Sequence, residues 1–130
     1  MPLPKDSKAG LYAMSREGNI VKVSIPQDCM AFQIGETMQI HTGGILKATP
    51  HQVRSGSMGA PGVSRNQYVL FMEPNFKEAM FVPHGRRSEQ AIFVHENLQL
   101  PDLKQRWQEE ISFEKFEMNT YASFAVHEEK

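Results

Sequence analysis

The side chains best suited to chemistry are a histidine and an arginine near the middle of the chain, His51 and Arg65. A neutral imidazole can ligate a metal ion, and a planar guanidinium can hold a carboxylate through two parallel hydrogen bonds. The spacing of the two residues alone favours ordinary structural roles. His51 follows Thr49-Pro50 and fits a polar residue at a strand kink, while Arg65 fits an ion pair at the start of a strand. Both interpretations stay open on the residues alone.

The other reactive or metal-binding side chains carry less weight. The single cysteine, Cys29, stands beside Met30 in an apolar run and is expected to be a packed thiol in a reducing compartment. We expect His41 to face solvent or to cap a helix. His84 and His95 are isolated in the sequence, and both are expected to be exposed.

Composition indicates an ordinary soluble globular protein. The 130 residues carry a net charge of −1, with 40% hydrophobic and 22% charged residues, which fits one domain. No apolar stretch approaches the ~20 residues that span a bilayer, and the N-terminus lacks the basic start and apolar centre of a signal peptide. We therefore expect a cytoplasmic protein with no membrane partner. Scattered basic residues argue against a nucleic-acid partner.

Short apolar runs separated by turn residues fill the first half of the chain, a pattern typical of an all-β sandwich or barrel. Gly10 to Met14 and Ile20 to Ile25 predict a hairpin whose second strand is half-buried. Cys29 to Ile34 predicts a strand covered on both faces. Further predicted elements are a helical turn over Glu36 to Ile40, a strand over Ile45 to Val53 interrupted near Pro50, a loop over Arg54 to Val63 and a strand over Arg65 to Met72.

Helices are predicted at the C-terminal end. The segments before them, Phe76 to Gly85 and Ser88 to Leu100, fit either short strands or irregular covering segments. Pro101 suits the first position of a short helix that runs to about Glu110. A second helix begins after Ser112 as its N-cap. Its apolar stripe, which needs a surface to cover, consists of Phe113, Phe116, Thr120, Tyr121 and Phe124.

A set of short motifs follows in a fixed order. They are Gly10-Leu11-Tyr12-Ala13, Gly35-Glu36, Thr42-Gly43-Gly44, Ala48-Thr49-Pro50-His51-Gln52-Val53 and Ser64-Arg65-Asn66-Gln67-Tyr68-Val69-Leu70-Phe71-Met72-Glu73-Pro74. Together they resemble the second half of the 2-oxoglutarate- and iron(II)-dependent oxygenase superfamily, including its isopenicillin N synthase-like branch. The resemblance implies a mainly β fold in one domain, 1–130. It would be a partial double-stranded β-helix, or jelly roll, with strands over 10–85 and one or two helices over 101–127.

The same resemblance implies a site and a reaction. Two histidines and a carboxylate would hold Fe(II), leaving positions for a chelating oxoacid and for oxygen. His51 would be the second histidine, and Arg65 would bind the distal carboxylate of 2-oxoglutarate. Gln67 stands where the family usually has a serine, and its amide is longer. Hydroxylation of a small-molecule substrate would be coupled to decarboxylation of 2-oxoglutarate to succinate.

The family's first two ligands form a His-x-Asp or His-x-Glu pair, and no histidine before the C-terminus has it. His127-Glu128-Glu129 alone fits, at the end of a predicted helix where positions i and i+2 point apart. Either Met1 is an internal methionine of a longer protein, or this is a short protein. Half a jelly roll would expose sheet edges and an apolar face, so for a short protein we expect a homodimer that completes the sandwich.

Three functions therefore compete. The first is an oxidoreductase of the oxygenase type, incomplete as given. The second is a non-catalytic jelly-roll interaction or scaffold module. The third is a cupin-like binder of small ligands, which would need more inward-facing histidines than this sequence offers.

Overall fold

The computed structural model describes residues 8–55, 67–92 and 100–128, with the main chain alone for 126–128. The chain divides into two compact units. The sheet unit contains the described residues of 8–33, 49–55 and 67–71, and the helical unit contains those of 34–48, 72–92 and 100–128. The elements are β1 (Gly10–Met14), β2 (Ile20–Val23), α1 (Glu36–His41), β3 (His51–Arg54), α2 (Ser88–Ala91), α3 (Leu103–Arg106) and α4 (Phe113–Glu128).

The sheet unit is built on a three-stranded antiparallel sheet with the order β2-β1-β3. The hairpin predicted from the sequence joins β1 to β2. Its turn closes where the Ser15 amide donates to the Asn19 carbonyl over 2.8 Å, with Gly18 at a φ of 83° that glycine tolerates best. β3 lies on the other side of β1, with His51 opposite Ala13.

The sheet unit has no buried side chain among its described residues. β1 is half-buried along its whole length, whereas β3 is exposed and β2 is exposed except at Val23. The half-buried character predicted for the second strand is therefore wrong, because Ile20 and Val21 both face solvent. An alternating strand buries one face only when another layer covers it.

The buried apolar residues all lie in the helical unit. Trp107 packs at the centre, and its indole Nε1 donates to the Met80 carbonyl over 3.3 Å. The Met80 amide in turn donates to the Ile111 carbonyl over 2.8 Å, which holds the segment before α2 alongside the start of α4. The buried set is Ile40, Met80, Ala91, Leu103, Trp107, Phe113 and Phe116.

The start of the long helix agrees with its sequence signals. Ser112 precedes α4, and its hydroxyl accepts a hydrogen bond from the Lys115 amide over 3.2 Å, as expected of an N-cap. Phe113 and Phe116 are buried, but Tyr121 is largely exposed. The predicted apolar stripe is thus covered only over the first turns, because the core ends there.

The preceding helix is shorter than predicted. Its N-cap is Asp102, whose carboxylate accepts from the Lys104 amide over 3.0 Å, so Pro101 lies before the cap rather than inside the helix. The helix ends at Arg106, and Trp107 takes an extended conformation. The helix ends where the Trp107 ring is buried. The sequence has no local helix-stop signal at this position.

Two predicted strands are absent from the described residues. Cys29 to Ile34 belongs to no strand, and Cys29 is exposed rather than packed in a core. The described part of the second, 67–72, likewise belongs to no strand and is exposed. An apolar run becomes a strand only beside a partner strand. The confirmed part of the fold prediction is an antiparallel sheet together with helices, of which α1 lies between β2 and β3 in the chain.

Candidate functional site

His51 is the first residue of β3, directly after Pro50. The Met14 amide donates to the Pro50 carbonyl over 2.9 Å, so the pairing with β1 continues up to the proline. Proline has no N–H to give to a sheet and fits the beginning of a strand. The predicted kink near Pro50 is therefore where β3 begins, and His51 takes its position from a paired backbone.

The described contacts of the His51 imidazole are made by Nδ1. Its Nδ1 lies 3.2 Å from the Thr49 carbonyl oxygen and also contacts the side-chain amide of Gln33. The Thr49 carbonyl oxygen can only accept a hydrogen bond, whereas the amide nitrogen of Gln33 can only donate one. The first contact requires a proton on Nδ1 and the second requires its lone pair, so the two contacts do not select one tautomer. Among the described residues, no hydrogen bond reaches Nε2.

Gln33 is the contact that sequence reasoning missed. It is the one amide within the apolar run Cys29 to Ile34, and that polar interruption was the available signal. The residues lie 18 positions apart, so only the folded chain reveals the contact.

The other residues proposed by resemblance do not join His51 in the described structure. Arg65 lies outside the described residues. Gln67 is exposed, and the described contacts of His51 are with Thr49 and Gln33 rather than with Gln67.

The remaining histidines belong to the helical unit or lie outside the described residues. His41 is partly buried, and its ring meets the Phe81 ring edge-on at 6.2 Å. His84 is exposed, as predicted. His95 lies outside the described residues, and His127 is in α4 with its side chain outside the description.

A complete iron site does not form from the described residues. Across 8–55, 67–92 and 100–128, no group of three histidine, cysteine, aspartate or glutamate side chains could hold a metal ion. A facial site requires two histidines and a carboxylate, and His51 supplies one ligand. The described residues by themselves therefore do not fit a resident Fe(II).

The most elaborate polar cluster belongs to the helical unit and is structural. Buried Arg106 donates from Nη1 and Nη2 to the two carboxylate oxygens of Glu36, over 2.7 and 2.6 Å. It also donates to the Pro101 carbonyl over 3.0 Å and to the Thr120 hydroxyl over 3.2 Å. These partners take the N–H groups of Nη1 and Nη2 and connect α1, α3 and α4, while the buried Nε has no hydrogen-bond partner among the described residues.

Comparisons with protein-family models, with curated proteins and with solved structures found no match. Within the described part of the chain, no helix has the length and apolar character of a membrane span.

Proposed function

We propose that this chain is the C-terminal part of a jelly roll of the 2-oxoglutarate- and iron(II)-dependent oxygenase type. In this proposal His51 contributes one iron ligand, and Arg65 with Gln67 contributes the binding of 2-oxoglutarate. The activity of the completed protein would be hydroxylation of a small molecule coupled to decarboxylation of the oxoacid. The chain by itself would bind the metal weakly, because the other two ligands are not among its described residues.

The observation that carries the proposal is the setting of His51. A metal ligand needs a defined backbone position and an accessible side chain. The pairing of β3 with β1 defines the backbone position of His51, and its side chain is exposed. The motif resemblance had already assigned Gly10-Leu11-Tyr12-Ala13 and the segment around His51 to one half of a jelly roll. Their pairing in one sheet supports that assignment.

A paramagnetic titration tests the metal ligand at the level of single residues. The ring protons of the five histidines are followed by NMR while Co(II), a surrogate for Fe(II), is added with 2-oxoglutarate present. We expect the His51 signals to broaden at a Co(II) concentration about tenfold lower than those of His84. Omitting 2-oxoglutarate should weaken the effect, because the oxoacid would chelate the same ion.

His84→Ala is the matched control, since His84 is an exposed histidine of the helical unit. It should leave the Co(II) concentration that broadens the His51 signals unchanged. In His51→Ala, the signals of the remaining histidines should broaden only at the higher Co(II) concentration. Equal broadening of His51 and His84 would contradict the proposal.

A second candidate is the non-catalytic interaction module, and a specific observation favours it. Two segments of the sheet unit that belong to no strand, 29–33 and 67–71, expose large apolar side chains. Apolar surface of this kind is typical of an interface. The two functions are compatible, since a sheet that accepts a partner can also present His51. If Co(II) does not broaden the His51 signals preferentially, the interaction module is the remaining candidate.

A further inference from the structure

A recess opens in the helical unit between α3 and the first turns of α4. It encloses about 430 Å³ and is lined by residues 104–108 and by Ile111, Lys115 and Asn119. Sites for small molecules typically enclose about 300–1,000 Å³. The recess therefore has room for a small ligand.

The two sides of the recess are joined by direct contacts. The side-chain amide of Asn119 donates to the Arg106 carbonyl over 3.0 Å, which connects α4 to the end of α3. Arg106 and Trp107 are both buried, and the Trp107 indole is bonded to the Met80 carbonyl. The recess is thus formed by packed elements and not by a loop.

The recess is positively charged. Lys104 comes from α3 and Lys115 from α4, both side chains are exposed, and the lining contains no aspartate or glutamate. Among the described residues, neither lysine ammonium has a hydrogen bond or an ion pair. The charge of Arg106 is already balanced by Glu36. Two ammonium groups therefore remain to attract an anion.

Amide groups add hydrogen-bond donors beside the lysines. The side chains of Gln105 and Gln108 line the recess and are exposed, and in the described structure neither has a hydrogen-bond partner. Each side-chain amide carries two N–H donors, and a lysine ammonium carries three. A ligand rich in acceptor oxygens would match this set.

We propose that this recess, called here the lysine recess, binds the phosphate group of a small phosphorylated molecule. A phosphate monoester carries a charge of about −1.5 to −2 at pH 7 and three acceptor oxygens, which matches two ammonium groups and their neighbouring amides. Half-buried Ile111 offers an apolar contact to the organic part of the ligand. The proposal goes beyond the oxygenase assignment and does not depend on His51.

The available donors favour phosphate over a carboxylate. A planar guanidinium is the best match for a carboxylate, whereas lysine is a common phosphate-binding residue that acts as a point charge. The guanidinium that lines the recess belongs to Arg106 and is already bound to both oxygens of Glu36. The lysines therefore determine which anion is preferred.

A titration with inorganic phosphate on the full chain tests the inference. The side-chain amide signals of Gln105 and Gln108 are followed by NMR at constant ionic strength, because salt screens exposed charges. We expect saturable shifts with a Kd at or below about 1 mM. Lys104→Gln and Lys115→Gln should each raise the Kd by about tenfold. Phenyl phosphate should bind at least as tightly as phosphate, because its ring can contact Ile111.

Lys77→Gln is the matched control, because Lys77 is an exposed lysine of the helical unit outside the lining of the recess. It should leave the Kd unchanged. Shifts that do not saturate by about 10 mM phosphate would overturn the proposal, as would equal effects of the three lysine substitutions. Succinate that binds as tightly as phosphate, or exclusion of phenyl phosphate, would overturn the assignment of the ligand. The Co(II) titration of His51 should be the same in Lys104→Gln as in the wild type.

Discussion

Gly44 and Gln39 show how single residues hold the irregular parts of the helical unit. Gln39 is buried at 2% exposure, and its amide donates to the Ala91 carbonyl over 2.6 Å and accepts from the Ala48 amide over 2.8 Å. It thereby satisfies two backbone groups that lie far from it in the sequence. Gly44 follows in the turn after α1, at a φ of 79°.

Replacing Gly44 with alanine should be strongly destabilising. An added Cβ would overlap the carbonyl oxygen of Gln90, and a positive φ is unfavourable for any residue with a side chain. We expect a loss of at least about 3 kcal/mol of unfolding free energy, or failure to fold. Urea unfolding followed by Trp107 fluorescence measures the change.

Gly35→Ala is the control for that substitution. A Cβ at Gly35 would meet no atom within 4 Å, and its φ of −95° is ordinary for any residue. Its stability should stay within about 1 kcal/mol of the wild type. A Gly44→Ala protein as stable as Gly35→Ala would show that the turn is not held as described.

At the scale of elements, Arg106 binds three helices together. Its two-pronged contact with Glu36 reaches α1 from the end of α3, and the Thr120 hydroxyl adds α4. The ring of Phe116 lies 5.9 Å and that of Phe124 5.8 Å from the guanidinium carbon. A planar cation fits both the carboxylate and the aromatic faces. Short helices such as α1 and α3 depend on such contacts because they are too short to be stable alone.

Arg106→Lys should weaken this arrangement although it preserves the charge. Lysine cannot make the paired contact with both Glu36 oxygens, and it would leave the Pro101 carbonyl or Thr120 hydroxyl without its donor. The expected loss of unfolding free energy is about 1–3 kcal/mol. Arg87→Lys, at an exposed arginine in the same unit, should change stability by less than about 0.5 kcal/mol. Equal effects of the two substitutions would contradict a special role for Arg106.

For the whole molecule, the distribution of buried side chains predicts unequal stability of the two units. Every buried apolar residue belongs to the helical unit, and the sheet unit has none among its described residues. Protection from local opening depends on buried contacts. At low protein concentration, the sheet amides should therefore open without global unfolding.

Hydrogen exchange measures this difference directly. The Met14 amide, bonded to Pro50, should exchange at least about tenfold faster than the Trp107 amide in a dilute solution. Sheet amides as slow as the Trp107 amide in dilute solution would show that the sheet unit is stable on its own.

The candidate site was predictable in part. The sequence predicts a strand over Ile45 to Val53 that is interrupted near Pro50. The structure has a strand over His51–Arg54, directly after the proline, whereas 45–50 is not a strand. The contact between the Gln33 side chain and the His51 ring was not predictable, because the two residues lie 18 positions apart. The roles of His51, Arg65 and Gln67 in binding iron and 2-oxoglutarate remain predictions that rest on the resemblance.

The sequence by itself determined the elements whose signals are local. Gly18 permits the turn between β1 and β2, and Ser112 caps α4; each acts through atoms a few residues away. The tertiary structure alone decided which apolar runs are covered. The run Cys29 to Ile34 reads as a buried strand, yet it is exposed and unpaired. Burial depends on what lies opposite in space, and that partner is not encoded within the run itself.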